Sequence, residues 1–347
     1  MTAIASGWTN TLRIVRRLAV LFACASPLLG CTGMQASLVV EDRPPGEIEG
    51  VLFPPQPKMA VSALLPPAAS CVLFDGDGNL DDVRAMAVLS PHRRVAGIVA
   101  TAGIVSAPTA AATMAQFVRG LKETVVIQGR DRSADSAAPP AWAWLAQTRA
   151  NAERLTGLLS AVAQPPLAVL VPDEAALGAV VARTLADCSS IGLVITGPWS
   201  SFIAYYPAIS AKIKFVIVQG RSPVDPDDPE WDRVNCSFDR LACMKAVAEL
   251  RLTPVFWIDL PAAGPPYPIT QDLATALSDG GLAGKLKRLM QQDGQWRDQQ
   301  IWDDGAAMFL VDPARFKLVG RHIEPDLSPP AMLLYEAKLM NGITVKK

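Results

Sequence analysis

Four aspartates fall within eight residues, in the stretch Asp75-Gly76-Asp77-Gly78-Asn79-Leu80-Asp81-Asp82. Like charges crowded into one loop repel, and the ionised form is costly unless something offsets it. A hard divalent cation held by carboxylate and carbonyl oxygens would offset it. A solvated acidic turn in which Asp81 caps the next helix would do so too. A second acidic pair, Asp303-Asp304, follows Trp302 far along the chain. Other chemistries are poorly supplied. With only two histidines, His92 and His322, a Ser-His-Asp machine lacks material, and no CxxC or Cys/His cluster offers a zinc site.

The elements around the acidic loop would position it. Cys71-Val72-Leu73-Phe74 is a short apolar run of the kind a buried strand shows, and Val83 to Leu89 reads as a helix that starts at the aspartates. Further strands are expected at 95–101, 124–127, 166–171, 191–195, 215–218 and 254–258. Helices are expected at 109–121 and 175–186. Strands alternating with helices predict an α/β fold with a mostly parallel central sheet and helices on both faces. In such sheets ligands sit beyond the carboxyl ends of the strands, where the acidic loop lies.

The chain has 347 residues, a formal net charge of −1 and a hydrophobic content of 50%. That suits one large domain or two small ones, and the absence of a basic block disfavours nucleic acid as a partner. Arg13, Arg16 and Arg17 precede an apolar run from Leu18 to Gly30, too short to span a bilayer, and this pattern reads as a secretion signal. The run ends Leu28-Leu29-Gly30-Cys31, which resembles the bacterial lipobox. That resemblance implies a signal peptide over 1–30 and acylation of Cys31, so that a lipid is the sole attachment to the membrane. Thr32, rather than an aspartate, resembles an outer-membrane address facing the periplasm. Residues 31–68 are proline-rich and read as a tether, leaving 69–347 as the folded domain. Cys71, Cys188, Cys236 and Cys243 remain, and their spacing does not choose among the possible pairings.

The loop resembles two families. Its D-x-D-G-x-L-x-D pattern is similar to the first motif of the haloacid-dehalogenase-like phosphatases, in which Asp75 would be the nucleophile. Its D-x-x-x-D-D pattern resembles the DxDPGxDD opening of the inosine-uridine-preferring nucleoside hydrolases. Later segments favour the second family in order along the chain. VAGIVATAG at 95–103 resembles its second strand, and Thr196-Gly197-Pro198 its TGPLTN segment. FVIVQG at 215–220 resembles IVIMGG, and Asn235 with Asp239 and Ala242 the tail of EFNxxxDPxAA. Trp302-Asp303-Asp304 with the run to Pro313 resembles HDPLAVAYLIDP.

That resemblance implies a calcium ion held by Asp77, Asp82, Asp303 and the Thr196 carbonyl, with Asp77 as general base in hydrolysis of a nucleoside or related N-riboside. Asp81 and Asn235 would bind the sugar, and homo-oligomers are common in the family. Departures accompany it. Ile104 stands where the family has a sugar-binding asparagine, Arg233 where it has a glutamate, and Trp302 where it has a histidine. Trp302 could stack on a flat base or sugar face, and Arg233 could pair with a carboxylate or phosphate. The same departures also suit a non-catalytic envelope protein that keeps the ion and ligand affinity without turnover.

Overall fold

The computed structural model describes residues 65–133, 142–161, 168–223, 234–261, 266–292 and 299–343. All belong to one compact unit, residues 49–347. Cys31, the signal segment and nearly all of the proline-rich stretch lie outside the described residues, as does Arg233. No helix among the described residues is long and apolar enough to cross a membrane.

An interior strand of the sheet is β1 (Cys71–Gly76), whose six residues are all buried. Alternation explains why none is polar until the strand ends. Val72 and Phe74 face one layer of the core, and Cys71 and Leu73 the other, so both faces must be apolar. β2 (Val95–Ala100), β3 (Val125–Gln128) and β4 (Val169–Leu170) extend the sheet on one side. β5 (Ile191–Ile195), β6 (Ile213–Gln219), β7 (Val255–Ile258), β9 (His322–Pro325) and β8 (Phe316–Val319) extend it on the other. All the pairings are parallel except that of β8 with β9. The chain order reverses between β1 and β5, which makes the carboxyl ends of these two strands the crevice of the sheet.

The expected α/β class is found. One layer of helices contains α1 (Leu80–Leu89), α2 (Ala107–Phe117), α3 (Leu145–Ala161), α8 (Gln271–Ala276), α9 (Gly281–Gln292), α10 (Asp303–Val311) and α11 (Pro329–Met340). The other contains α4 (Leu177–Thr184), α5 (Phe202–Ile209) and α7 (Arg240–Glu249), the last preceded by the single turn α6 (Asn235–Phe238). One expected element differs. The apolar run at 166–171 suggests a buried strand; among the described residues, which begin at 168, the strand is Val169–Leu170, with Leu170 and Val171 exposed. It pairs with β3 alone, as the edge of the sheet, so one side of it has no neighbour to bury it.

Two disulfides answer the open pairing: Cys71 with Cys188, and Cys236 with Cys243. The first ties the start of β1 to the approach to β5. The second staples α6 to α7 around Asp239, which caps α7. The Asp239 carboxylate accepts from Ser133 N (2.7 Å) and Oγ (2.9 Å), Ser200 Oγ (2.8 Å) and Ala242 N (3.1 Å). Burial works to raise its pKa, but these four donors favour the anion and hold the group below the usual carboxylate range.

A carboxyl with a depressed folded pKa contributes stability above its unfolded value, and that stability fades as pH falls through the folded one. Asp239→Ala strands its donors, and in urea unfolding at pH 7 it should lose about 3 kcal/mol. The stability gap between wild type and Asp239→Asn should narrow below about pH 4, where the unfolded carboxyl begins to bind its proton. A gap that stays constant from pH 7 downward would show that no ionised clamp operates here.

Candidate active site

β1 ends in Asp75 and Gly76, and the chain turns through Asp77-Gly78-Asn79 into α1. Gly78 sits at φ 74°, and a Cβ there would lie 2.5 Å from the Ala110 Cα, so only glycine lets this turn nest against α2. Gly103 closes the other wall of the loop, where a Cβ would collide with the Asp77 carboxylate. Asp77 Oδ2 accepts from the Ile104 backbone N–H at 2.8 Å. At the position where the resemblance suggests an asparagine side chain, the backbone thus holds Asp77, and the Ile104 side chain is buried.

Asp82 turns back on the loop. Its Oδ2 accepts from Asn79 N at 3.2 Å, half of a capping box, and its Oδ1 accepts from the Thr196 hydroxyl at 2.6 Å. Thr196 follows β5, so the loop after β1 and the loop after β5 are joined across the crevice. The Thr196 carbonyl, expected to face a cation, accepts from Asn235 Nδ2 at 2.8 Å. A carbonyl oxygen keeps a second lone pair for another partner. Asn235 also donates toward Gln219 Oε1 at 3.2 Å, which links it to the end of β6.

Asp303 comes from the first residue of α10, more than two hundred positions from the loop, and reaches the same place. Burial pushes its pKa well above the usual range, and the charges of Asp81, Asp82, Asp77 and Asp304 push it further. Burial likewise raises Asp77 well above the usual range, reinforced by Asp82 and Asp81. It raises Asp81 to about 7, with Asp82 adding to the shift and Arg84 opposing it. Asp82 is raised by burial, against its hydrogen bond from Thr196. The structure therefore brings together Asp77, Asp81, Asp82 and Asp303, with Thr196 and Asn235 alongside.

Asp75 has a different environment. Fully buried, it accepts from the Thr101 hydroxyl at 2.5 Å and the Tyr205 hydroxyl at 2.7 Å. Burial pushes its pKa up to about 7, against those two donors. Both oxygens are engaged and shielded, which suits a brace between β1, β2 and α5 rather than the nucleophile that the phosphatase pattern requires.

Trp302 is 37% exposed and borders a shallow cleft with Gln219, Ile258, Asp259, Leu260 and Pro325 among its walls. Arg221 pairs with Asp259 at 2.5 Å beside it. Gln219 belongs to both the cleft and the Asn235 network, so the cleft adjoins the carboxylates.

Among the described residues, no group of three or more His, Cys, Asp or Glu side chains stands ready-arranged to hold a metal ion. The chemistry of the donor set nevertheless fits a hard cation. It is all oxygen and it is dry, and among the described residues Arg84 is the buried cation beside its four carboxyls. Asp81 Oδ1 is buried without a hydrogen-bond partner, an oxygen that a cation or a sugar hydroxyl would satisfy.

Sequence reasoning missed the partners behind this set. Arg84 donates from Nε to Asp304 Oδ2 at 2.7 Å and from Nη2 to the Gln300 carbonyl at 2.7 Å, with arginine and aspartate both fully buried. An arginine inside an otherwise apolar helix, Val83 to Leu89, was the available signal. Tyr205, Ser200 and Ser133 carried none.

No family model matches the chain, and no curated protein matches it. Solved structures do resemble it. An inosine-uridine-preferring nucleoside hydrolase from Bacillus anthracis has a TM-score of 0.57 at 15% identity, over 79% of this chain and 99% of that one. A purine-preferring ribonucleoside hydrolase from Gardnerella vaginalis has a TM-score of 0.56 at 16% identity, over 79% and 98%. A type III effector protein complexed with adenosine diphosphate ribose has a TM-score of 0.54 at 14% identity, over 81% and 95%. At these identities the likeness concerns the fold, and the fold of this chain is nucleoside-hydrolase-like.

Proposed function

We propose that this chain is a calcium-dependent hydrolase of N-glycosidic bonds in ribonucleosides or related N-ribosides. The observation that carries the reading is the meeting of Asp77, Asp81 and Asp82 with the distant Asp303 in a dry crevice of a nucleoside-hydrolase-like fold. Asp77, Asp82, Asp303 and the Thr196 carbonyl would hold the cation. When bound, it supplies a lowered pKa for the attacking water and a grip on the sugar hydroxyls.

The remaining work falls to the chain. Asp77, fixed by the Ile104 N–H, accepts the proton of the attacking water at its carboxylate. Asp81 directs its unpartnered oxygen to a sugar hydroxyl, and Asn235, held between Thr196 and Gln219, meets the sugar's other end. The carboxylates stabilise the positive charge that grows on the ring as the glycosidic bond breaks. Trp302 offers an aromatic face to a flat leaving group in the adjoining cleft. Arg233, outside the described residues, would meet an anionic substituent.

A second reading, a binding protein without turnover, is favoured by one specific feature: Trp302 stands where the resembling motif has a histidine. Release of base and reducing sugar from a nucleoside panel separates the two. Turnover should need calcium and stop with chelator, and Asp77→Ala should slow it by about a hundredfold or more. Gly103→Ala should slow it as well, since the new methyl displaces the Asp77 carboxylate. Nucleoside binding in calcium without any product would instead establish the binding protein.

We place the protein in the bacterial cell envelope, anchored through a lipid on Cys31 and facing the periplasm from the outer membrane, on the strength of its lipobox-like segment. Palmitate labelling should follow Cys31, and Cys31→Ser should leave the chain unlabelled. Equal labelling of both would refute the anchor.

A further inference from the structure

Behind the carboxylates lies a charged cluster that the proposed chemistry does not use. Arg84 on α1 and Asp304 on α10 form an ion pair at 2.7 Å, and Glu336 on α11 stands 3.8 Å from the Arg84 Nε. All three side chains are fully buried. A buried ion pair is not needed for stability, since apolar side chains of similar volume serve as well or better. Such a cluster calls for another explanation.

Its position supplies one. Arg84 lies two residues after Asp82, so it shares a helix turn with the loop's carboxylates, and Asp304 adjoins Asp303. Asp304 Oδ1 also accepts from Trp302 N at 2.7 Å, which fixes the first turn of α10. Arg84 Nη2 binds the Gln300 carbonyl at 2.7 Å, which fixes the approach to that turn. One guanidinium therefore grips two points on either side of Asp303, with directional bonds from the helix that carries Asp81 and Asp82. Apolar packing would hold α1 against α10 without specifying this register to a fraction of an ångström.

We propose that Arg84 and Asp304 are positioning residues that fix the separation between the carboxylates on α1 and the carboxylate on α10, and thereby set the affinity of the site for its cation. The proposal rests on the cation-binding reading of that site. Residues that orient ligands in this way typically govern about ten- to a hundredfold in metal affinity.

The test uses the full chain and calcium calorimetry. Arg84→Met/Asp304→Asn/Glu336→Gln removes the charges of the cluster together, and the amide oxygen introduced by Asp304→Asn can still accept from Trp302 N. The triple variant should melt close to wild type without metal yet bind calcium at least about tenfold more weakly. Glu336→Gln alone leaves the Arg84 bonds to Asp304 and Gln300 in place and should retain wild-type affinity. Arg84→Lys keeps the charge but lacks the fork that reaches both Asp304 and Gln300, and should fail to rescue. A folded triple variant with wild-type affinity would overturn the proposal, as would full rescue by lysine. If the wild type binds no calcium, the functional reading fails by itself. Crystal structures of both forms then decide the positioning role: a wider gap between Asp82 and Asp303 in the variant supports it, and an unchanged gap overturns it. The same comparison serves if the triple variant melts far below wild type.

Discussion

Four carboxyl groups out of contact with bulk water repel one another, and the site is organised around that repulsion. Burial raises Asp77, Asp81, Asp82 and Asp303 in pKa, and for Asp77, Asp81 and Asp303 neighbouring carboxyls add to the rise. The fold opposes it with fixed donors. Ile104 N holds Asp77, Thr196 Oγ1 and Asn79 N hold Asp82, and α1 and α10 both direct their amino ends at the cluster. The positive end of a helix dipole favours carboxylates at such a place. These donors reduce the repulsion without abolishing it, and the residual negative potential is what makes the crevice suited to a cation and to a sugar that becomes positive as it reacts.

The crevice exists because the strand order reverses there. β1 and β5 send their following loops in different directions, so the acidic loop and the Thr196 segment face each other across a gap that no helix fills. β6 contributes Gln219 at its end, and β7 leads into the Asp259 wall of the cleft. β1, β5, β6 and β7 thus each deliver a different polar group at the same rim. Their apolar bodies are interchangeable in kind, while the residues just past their ends are not.

Much of this was legible in the sequence, for a physical reason that also explains what was not. The acidic loop is contiguous, so one strand, one turn and one helix start suffice to read it from Cys71 to Leu89. Thr196, Asn235 and Asp303 could be placed only because their flanking segments resemble a family in order. The short range of periodicity hides everything that depends on partners far along the chain. Leu170 and Val171 are apolar like any core strand, and only the sheet order shows that they lie at an edge. Arg84 is a charge on an apolar helix, and nothing local reveals that Asp304, 220 positions away, meets it. Asp239 enters the sequence reading only through a resembling segment, whereas its role as a helix cap and its donors Ser133 and Ser200 are found only in the folded chain.

The bridge between Cys71 and Cys188 has a consequence for the order of assembly. β1 is an interior strand with a neighbour on each side, yet its covalent partner lies 117 positions later, and β5 beside it follows that partner. A chain that emerges amino end first can pair β1 with β2 early, but it cannot close the other edge of β1 until most of the first half of the domain has been delivered. Because the crevice is defined by β1 and β5 together, the acidic loop remains a one-sided, hydrated turn during that interval. Its aspartates stay hydrated then, and their dry setting is complete only once the β5 segment and the later α10 have both docked.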